Sequence, residues 1–410
     1  MAGKDRILVL GPTGAIGRHI VWASVKAGNP TYVLVRDTPP TVNKPRLVTA
    51  ANPETREELL QNFQNSGVFL IQGDMNDHQS LVSAIKQVDV VICSFGRLLI
   101  EDQVKIIAAI KEAGNIKRFF PSEFGLDVDR QDAVEPVREV FEEKAKIRRI
   151  IEAEGVPYTY LCCHAFTGYF LRNLAQIDTT VPPRDKIFIQ GDGNVKGAYV
   201  TEADVGTYTV EAVNDPNTLN KAVHIRLPAN YLSLNEIVSL WEKKIGKSIE
   251  KIYVPEEKVL KDIQELSFPN NYLLALYHSQ QIRGDAVYEI DPTKDVEASQ
   301  AYPHIKYTTV DEYLNQSIHF HSLLVSAVLR LSWFEHDNQN LHSAAYCMLD
   351  LVSGSQKDLE RGQSEFIKKH RKDTCDDTTV LREVELCREE LRVSAQFCSA
   401  DLSARLVCLV

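Results

Sequence analysis

The chain has 410 residues, 44% of them hydrophobic and 25% charged, with a formal net charge of −10. That length holds two or more domains, each with its own core. The acidic balance speaks against a nucleic-acid surface or a basic membrane patch, and no apolar run reaches the length of a bilayer-spanning helix.

Met1-Ala-Gly-Lys-Asp5 leads directly into an apolar segment, which leaves no room for a secretory leader and makes a cytoplasmic location the expectation. Ile7–Leu10 reads as a strand, and Gly11-Pro-Thr-Gly-Ala-Ile-Gly17 follows it at the head of a helical pattern over 15–27. Glycines at this spacing between a strand and a helix build a phosphate-binding turn. Gly11 permits the tight turn, Gly14 lets a pyrophosphate approach the backbone, and Gly17 lets the helix lie close on the sheet. The intervening Pro12, Thr13, Ala15 and Ile16 join them as candidate cofactor-binding residues. The helix N-terminus adds unpaired N–H groups and a positive dipole end.

Thr31–Val35 is the second strand and runs into Arg36, with Lys44 further along. An NAD site would carry an acid at this strand end. A guanidinium there clamps a 2′-phosphate bidentately and points to NADP(H), with the adjacent Asp37 leaving NAD as the alternative. Strands are then expected at 68–72, 88–93, 118–120 and 158–163, with helical patterns at 56–64, 79–86 and 103–113. Strands alternating with helices specify an α/β fold, a doubly wound parallel sheet of the Rossmann type. Beyond it, strands at 186–190 and 222–227 and helices at 234–247, 256–267 and 271–281 suggest a smaller mixed α/β substrate domain over the cofactor crevice. The expected division is 1–165 for the cofactor, 166–318 for the substrate with some crossing back, and 319–410 as an atypical, poorly ordered tail.

The helix opened by Glu135-Pro136 carries an apolar stripe of Val137, Val140, Phe141, Ile147 and Ile151. Lys144 is seven residues from both Val137 and Ile151 and falls in that stripe, while Arg148 follows four residues later on the same side. A lysine there either snorkels outward or polarises a substrate oxygen, burial bringing its pKa into a useful range. Lys144 is thus the catalytic candidate, and Arg148 a candidate for the cofactor or substrate site. The Tyr-x-x-x-Lys arrangement of common short-chain dehydrogenases is absent, because Val140 holds the tyrosine position. His164, Phe166, Tyr169, Phe170 and His278 are candidates for the pocket wall. No metal site is expected: the cysteines have no C-x-x-C spacing, and His319-x-His321 has no third ligand at sensible spacing.

Gly11–Gly17, Arg36, Phe119-Phe-Pro-Ser-Glu-Phe-Gly125 and Lys144 together resemble the plant isoflavone reductase-like family of atypical, NmrA-like short-chain reductases, over residues 1 to about 318. Stretches 92–105, 161–168 and 191–200 resemble its isoflavone-reducing members in particular. The resemblance implies NADPH as cofactor, held by Gly11–Gly17, Arg36 and Lys44, with Lys144 as the active-site residue and Arg148 joining the site. It implies an oxidoreductase acting on a CH–CH group, reducing the C2=C3 enone bond of a 2′-hydroxyisoflavone in isoflavonoid phytoalexin synthesis for plant defence. Lys144 would then stabilise the enolate oxygen or relay a proton. The partner is a small isoflavonoid, with no nucleic acid and no membrane, and a monomer and a homodimer are both open. Benzylic ether reduction of lignans or neolignans, and a non-catalytic NADP-sensing regulator, stand as alternatives. Residues 319–410 hold five of the eleven histidines and five of the eight cysteines and lack proline, a composition unlike the rest of the chain.

Overall fold

The computed structural model describes residues 3–36, 55–177, 179, 181–316 and 318, so Lys44 and the segment 319–410 lie outside the described residues. The first half is built as strand and helix in alternation: β1 (Ile7–Leu10), α1 (Gly17–Lys26), β2 (Thr31–Val35), α2 (Arg56–Asn65), β3 (Phe69–Gln72), α3 (His78–Ile85), β4 (Val90–Cys93), α4 (Gln103–Ala113), β5 (Arg118–Phe120), α5 (Val137–Ala153) and β6 (Thr159–Cys162). Five strands form a parallel sheet in the order β3-β2-β1-β4-β5. A parallel bridge from Phe119 to Tyr158 continues it toward β6.

Side chains alternate across this sheet, as the two-residue period of a strand requires. Ile7 and Val9 pack on one face with Ile20 and Val21 of α1. Leu8 and Leu10 pack on the other with Leu81 of α3, Ile106 of α4 and Ile147 of α5. Burial on both faces explains why β1 and β4 read as unbroken apolar runs.

The chain then passes through β7 (Ala165–Phe166), α6 (Thr167–Phe170), β8 (Lys186–Gln190), β9 (Lys196–Val200), α7 (Glu202–Asn214), β10 (Lys221–His224), β11 (Tyr231–Ser233), α8 (Leu234–Ile245), β12 (Glu250–Val254), α9 (Glu256–Glu265), α10 (Asn270–His278) and β13 (Asp295–Glu297). The strand expected at 222–227 in the smaller domain instead lies parallel beside β6, with β13 on its far side. Helix α7, which the sequence reading did not anticipate, covers the same sheet face as α1. Gly206 makes that contact possible, because a Cβ there would stand 2.5 Å from the His19 carbonyl oxygen. A separate core gathers Trp241, Ile237 and Tyr277 of the later helices with Val137, Val140 and Phe141 of α5.

Helix α5 therefore serves two cores. Its first turns pack into the smaller body, and Ile147 and Ile151 pack under the parallel sheet. Lys144 sits at the changeover between them.

Candidate active site

A cavity of about 990 Å³ runs along the C-terminal ends of the parallel strands, and residues of both halves line it. Its floor at one end is the glycine turn: Gly11, Pro12, Thr13, Gly14, Ala15 and Ile16 all face it. Gly11 has φ +79°, a left-handed conformation that favours glycine, and its carbonyl accepts the Gly14 N–H at 3.1 Å. Gly17 faces away from the cavity. A Cβ on it would come within 2.1 Å of the Gly11 carbonyl oxygen, so only glycine lets α1 begin this close to the turn. The first turn of α1 carries no acid, which leaves its positive dipole end to an anion.

Three guanidiniums border this end, on Arg18, Arg36 and Arg56. Arg36 stands at the end of β2 as expected, and Arg56 donates to its carbonyl oxygen at 2.8 Å. Arg18 folds back over the turn, donating to the Gly14 and Thr13 carbonyls at 3.2 and 3.0 Å. Sequence reasoning missed Arg18 and Arg56. Arg18 has no separate signal beside the glycines. Arg56 is brought to the cavity by a helix whose Thr55–Glu58 capping box explains its start and nothing about its function. Together the narrow glycine turn, the anion-ready helix end and these arginines fit a dinucleotide bearing an extra phosphate.

At the other end Lys144 lines the cavity, half-buried. Its Nζ donates to the Glu123 carbonyl oxygen at 2.6 Å. Burial lowers its pKa below the usual lysine range, and the nearby Glu123 charge opposes that shift without cancelling it.

Arg148 requires a correction. It shares Lys144's side of α5 but does not line the cavity, and it is only 2% exposed. Its Nε and Nη2 donate to the two carboxylate oxygens of Glu123 at 3.0 and 2.7 Å. Its Nη1 donates to Asp127 and Asp129 at 2.7 and 3.1 Å, and its guanidinium lies 4.5 Å over the Tyr160 ring. Helical spacing placed it correctly, but spacing does not show that the loop after β5 supplies three acids to consume it. Arg148 fixes the loop whose Glu123 carbonyl receives Lys144.

Four of the proposed wall residues, His164, Phe166, Tyr169 and Phe170, do line the cavity. His164 has φ +55° and is held neutral, since burial drives its pKa far below the imidazole range. His278 is the second correction. It is buried but lines no part of the cavity, and its Nε2 meets Glu256 of α9 at 2.8 Å. The helix pattern named its element but not the face it turns toward. Glu202, at the start of α7, is the acid that sequence reasoning overlooked. It lines the cavity, and burial raises its pKa to about 7. Elsewhere Asp127, Cys162 and His224 lie within 4.8 Å of one another. Asp127 is already neutralised by Arg148 and Arg130, and burial keeps the Cys162 thiol protonated, so this cluster is a poor cation site.

Among the described residues no helix is long and apolar enough to cross a membrane. The family model of the NmrA-like family matches residues 3–314. Isoflavone reductase of Glycine max is 82% identical over 318 residues, which is 78% of this chain and the whole of that protein. A crystal structure of isoflavone reductase superposes with a TM-score of 0.72 at 77% identity, covering 76% of this chain and 99% of that one. The binary complex of leucoanthocyanidin reductase with NADPH from Vitis vinifera superposes with a TM-score of 0.68 at 35% identity, covering 76% and 99%.

Proposed function

Because the chain belongs to the NmrA-like family, we propose that it is an NADPH-dependent reductase that saturates the C2=C3 bond of 2′-hydroxyisoflavones. The identity with isoflavone reductase along that protein's full length supports the substrate class. NADPH supplies the hydride when bound. In this reading residues 1–165 carry the cofactor and 166–318 the substrate, with β10 and β13 crossing back.

The chain's own part begins with the phosphates, which the turn from Gly11 to Ile16 and the N-terminus of α1 receive, while Arg36 and Arg56 take the 2′-phosphate. A hydride accepted at the β-carbon of an enone leaves negative charge on the carbonyl oxygen. A preorganised cation at that oxygen lowers the barrier, because it is in place before the charge develops. Lys144 fills this role. The observation that carries the proposal is its Nζ, held at 2.6 Å on the Glu123 carbonyl in a cavity shared with the phosphate turn. Its depressed pKa also lets it give up a proton more readily than a solvated lysine. Phe166, Tyr169 and Phe170 give the flat aromatic substrate an apolar wall. A cytoplasmic setting accords with Cys93, Cys162 and Cys163, which are free thiols in buried positions.

Oxidation of NADPH, followed with 2′-hydroxyisoflavones, pinoresinol and dehydrodiconiferyl alcohol in parallel, tests the reading. Turnover is expected with the isoflavones. Turnover confined to the lignan-type substrates would transfer the enzyme to benzylic ether reduction.

A further inference from the structure

Two acids border the cavity, Glu123 and Glu202. Arg148 consumes the carboxylate of Glu123. Among the described residues, the neighbouring charge that acts on Glu202 is that of Asp204. The backbone holds it in place instead, through the N–H groups of Gly168 and of Glu202 itself. The fit is close enough that a Cβ on Gly168 would fall 2.4 Å from Oε1.

Its position follows from the packing of α7. One turn beyond Glu202, Gly206 abuts His19 of α1, so Glu202 stands beside the helix end that the phosphate turn opens. Lys144 and Glu202 line the same cavity, and Cys163 feels the charges of both. A ring that delivers hydride to a substrate held by Lys144, while its phosphates rest on the glycine turn, lies in the cavity that Glu202 borders.

We propose that Glu202 contacts the nicotinamide half of the cofactor and distinguishes its oxidised, positively charged ring from its reduced, neutral one. This rests on the reductase reading above. An ionised carboxylate attracts a cationic ring, whereas a neutral carboxyl group does not, and a positive charge within about 4–6 Å lowers a carboxyl pKa. Burial holds Glu202 at about 7 before any cofactor arrives. Near neutrality, binding of NADP+ therefore expels a proton and binding of NADPH does not. NADP+ gains affinity relative to NADPH as pH rises.

Other groups around Glu202 are accounted for. Asp204 on the same helix is bonded to Thr201 and Thr308. His19 on α1 is lowered to about 4 and His164 well below its usual range, so both are neutral near pH 7. Burial keeps Cys163 protonated. Arg18 keeps its charge throughout. Lys144 loses positive charge as pH rises, which favours NADP+ in the same direction, so a variant at Glu202 itself is needed.

The test is the ratio of Kd for NADP+ to Kd for NADPH between about pH 6 and about pH 8.5. The 2′-phosphate titrates near 6 in both forms and cancels in the ratio. In the wild type the ratio is expected to fall about five- to tenfold over that range, a tenfold change matching about one pKa unit. Titration calorimetry in buffers of different ionisation heat should show more proton release with NADP+ than with NADPH, the 2′-phosphate contributing equally to both. Glu202→Gln should flatten most of that fall, leaving the smaller slope that Lys144 contributes. A constant ratio in the wild type, or an equal slope in Glu202→Gln, overturns the proposal. If that variant does not fold, equal proton release with NADP+ and NADPH in the wild type overturns it as firmly. Failure of either dinucleotide to bind at any pH would sink the reductase reading itself.

Discussion

Replacing Lys144 with methionine removes the ammonium and keeps most of the stem. The fold should tolerate this. Lys144 is half-buried, and the group that loses its partner is one carbonyl, of Glu123, whose second lone pair and access to the cavity limit the cost to about 1 kcal/mol. Catalysis should not tolerate it. Loss of a single preorganised donor to a developing oxyanion costs about 10²–10³ in kcat, or about 2.7–4 kcal/mol. The phosphate turn and the arginines lie at the other end of the cavity, so Kd for NADPH should stay within about twofold. The assay is stopped-flow NADPH oxidation at saturating substrate, beside NADPH fluorescence titration and a thermal melt of each protein. The pH dependence gives a second check. Because burial lowers the pKa of Lys144, the wild-type rate should fall on the alkaline side before the free-lysine range near 10.4 is reached, and this limb should vanish in Lys144→Met. Turnover within about fivefold of wild type, with the alkaline limb intact, would remove Lys144 from the chemistry.

Arg148→Met should cost stability by about 3–5 kcal/mol, because it leaves Glu123 as a buried charge without its partner and Asp127 with Arg130 alone; a chemical denaturation midpoint within error of wild type would refute the clamp. Gly17→Ala drives a methyl group into the Gly11 carbonyl, 2.1 Å away, and should weaken NADPH binding by about tenfold or more, read by fluorescence titration. Glu202→Gln should raise Tm at pH 8.5 and leave it nearly unchanged at pH 4.5, as seen in melts at the two pH values. The raised carboxyl, shifted from 4.5 to about 7, contributes stability below its unfolded pKa and loses it as pH rises through the folded value.

The parts of the fold that follow from local pattern were legible in the chain. Strands β1 and β4 announce themselves by apolar runs, α4 by its period, and the turn by Gly11, Gly14 and Gly17. What was not legible depends on partners distant in sequence. Lys221–His224 reads as an ordinary strand, and only its pairing with β6 assigns it to the large sheet. Glu202 lies in the first turn of a helix that the sequence reading did not anticipate, a place where acids are common for reasons of dipole alone. Its role becomes visible only when α7 is laid on α1. Arg148 shows the same limit from the other side. Helical phase gave its direction, but the carboxylates of Glu123, Asp127 and Asp129 come from a loop whose path no periodicity describes.

The double allegiance of α5 restricts how this enzyme can adapt to its substrates. Because one unbroken rod is nailed into both bodies, through Val137, Val140 and Phe141 at one end and Ile147 and Ile151 at the other, it cannot act as a hinge. The distance from Lys144 to the phosphate turn is then a fixed gauge, the same for every ligand admitted. Accommodation of differently decorated rings falls to the side chains that α6 and α10 bring to the cavity, Tyr169, Phe170, Tyr272 and Leu276. Substrate range can drift through those positions while the reacting geometry stays where the rod sets it.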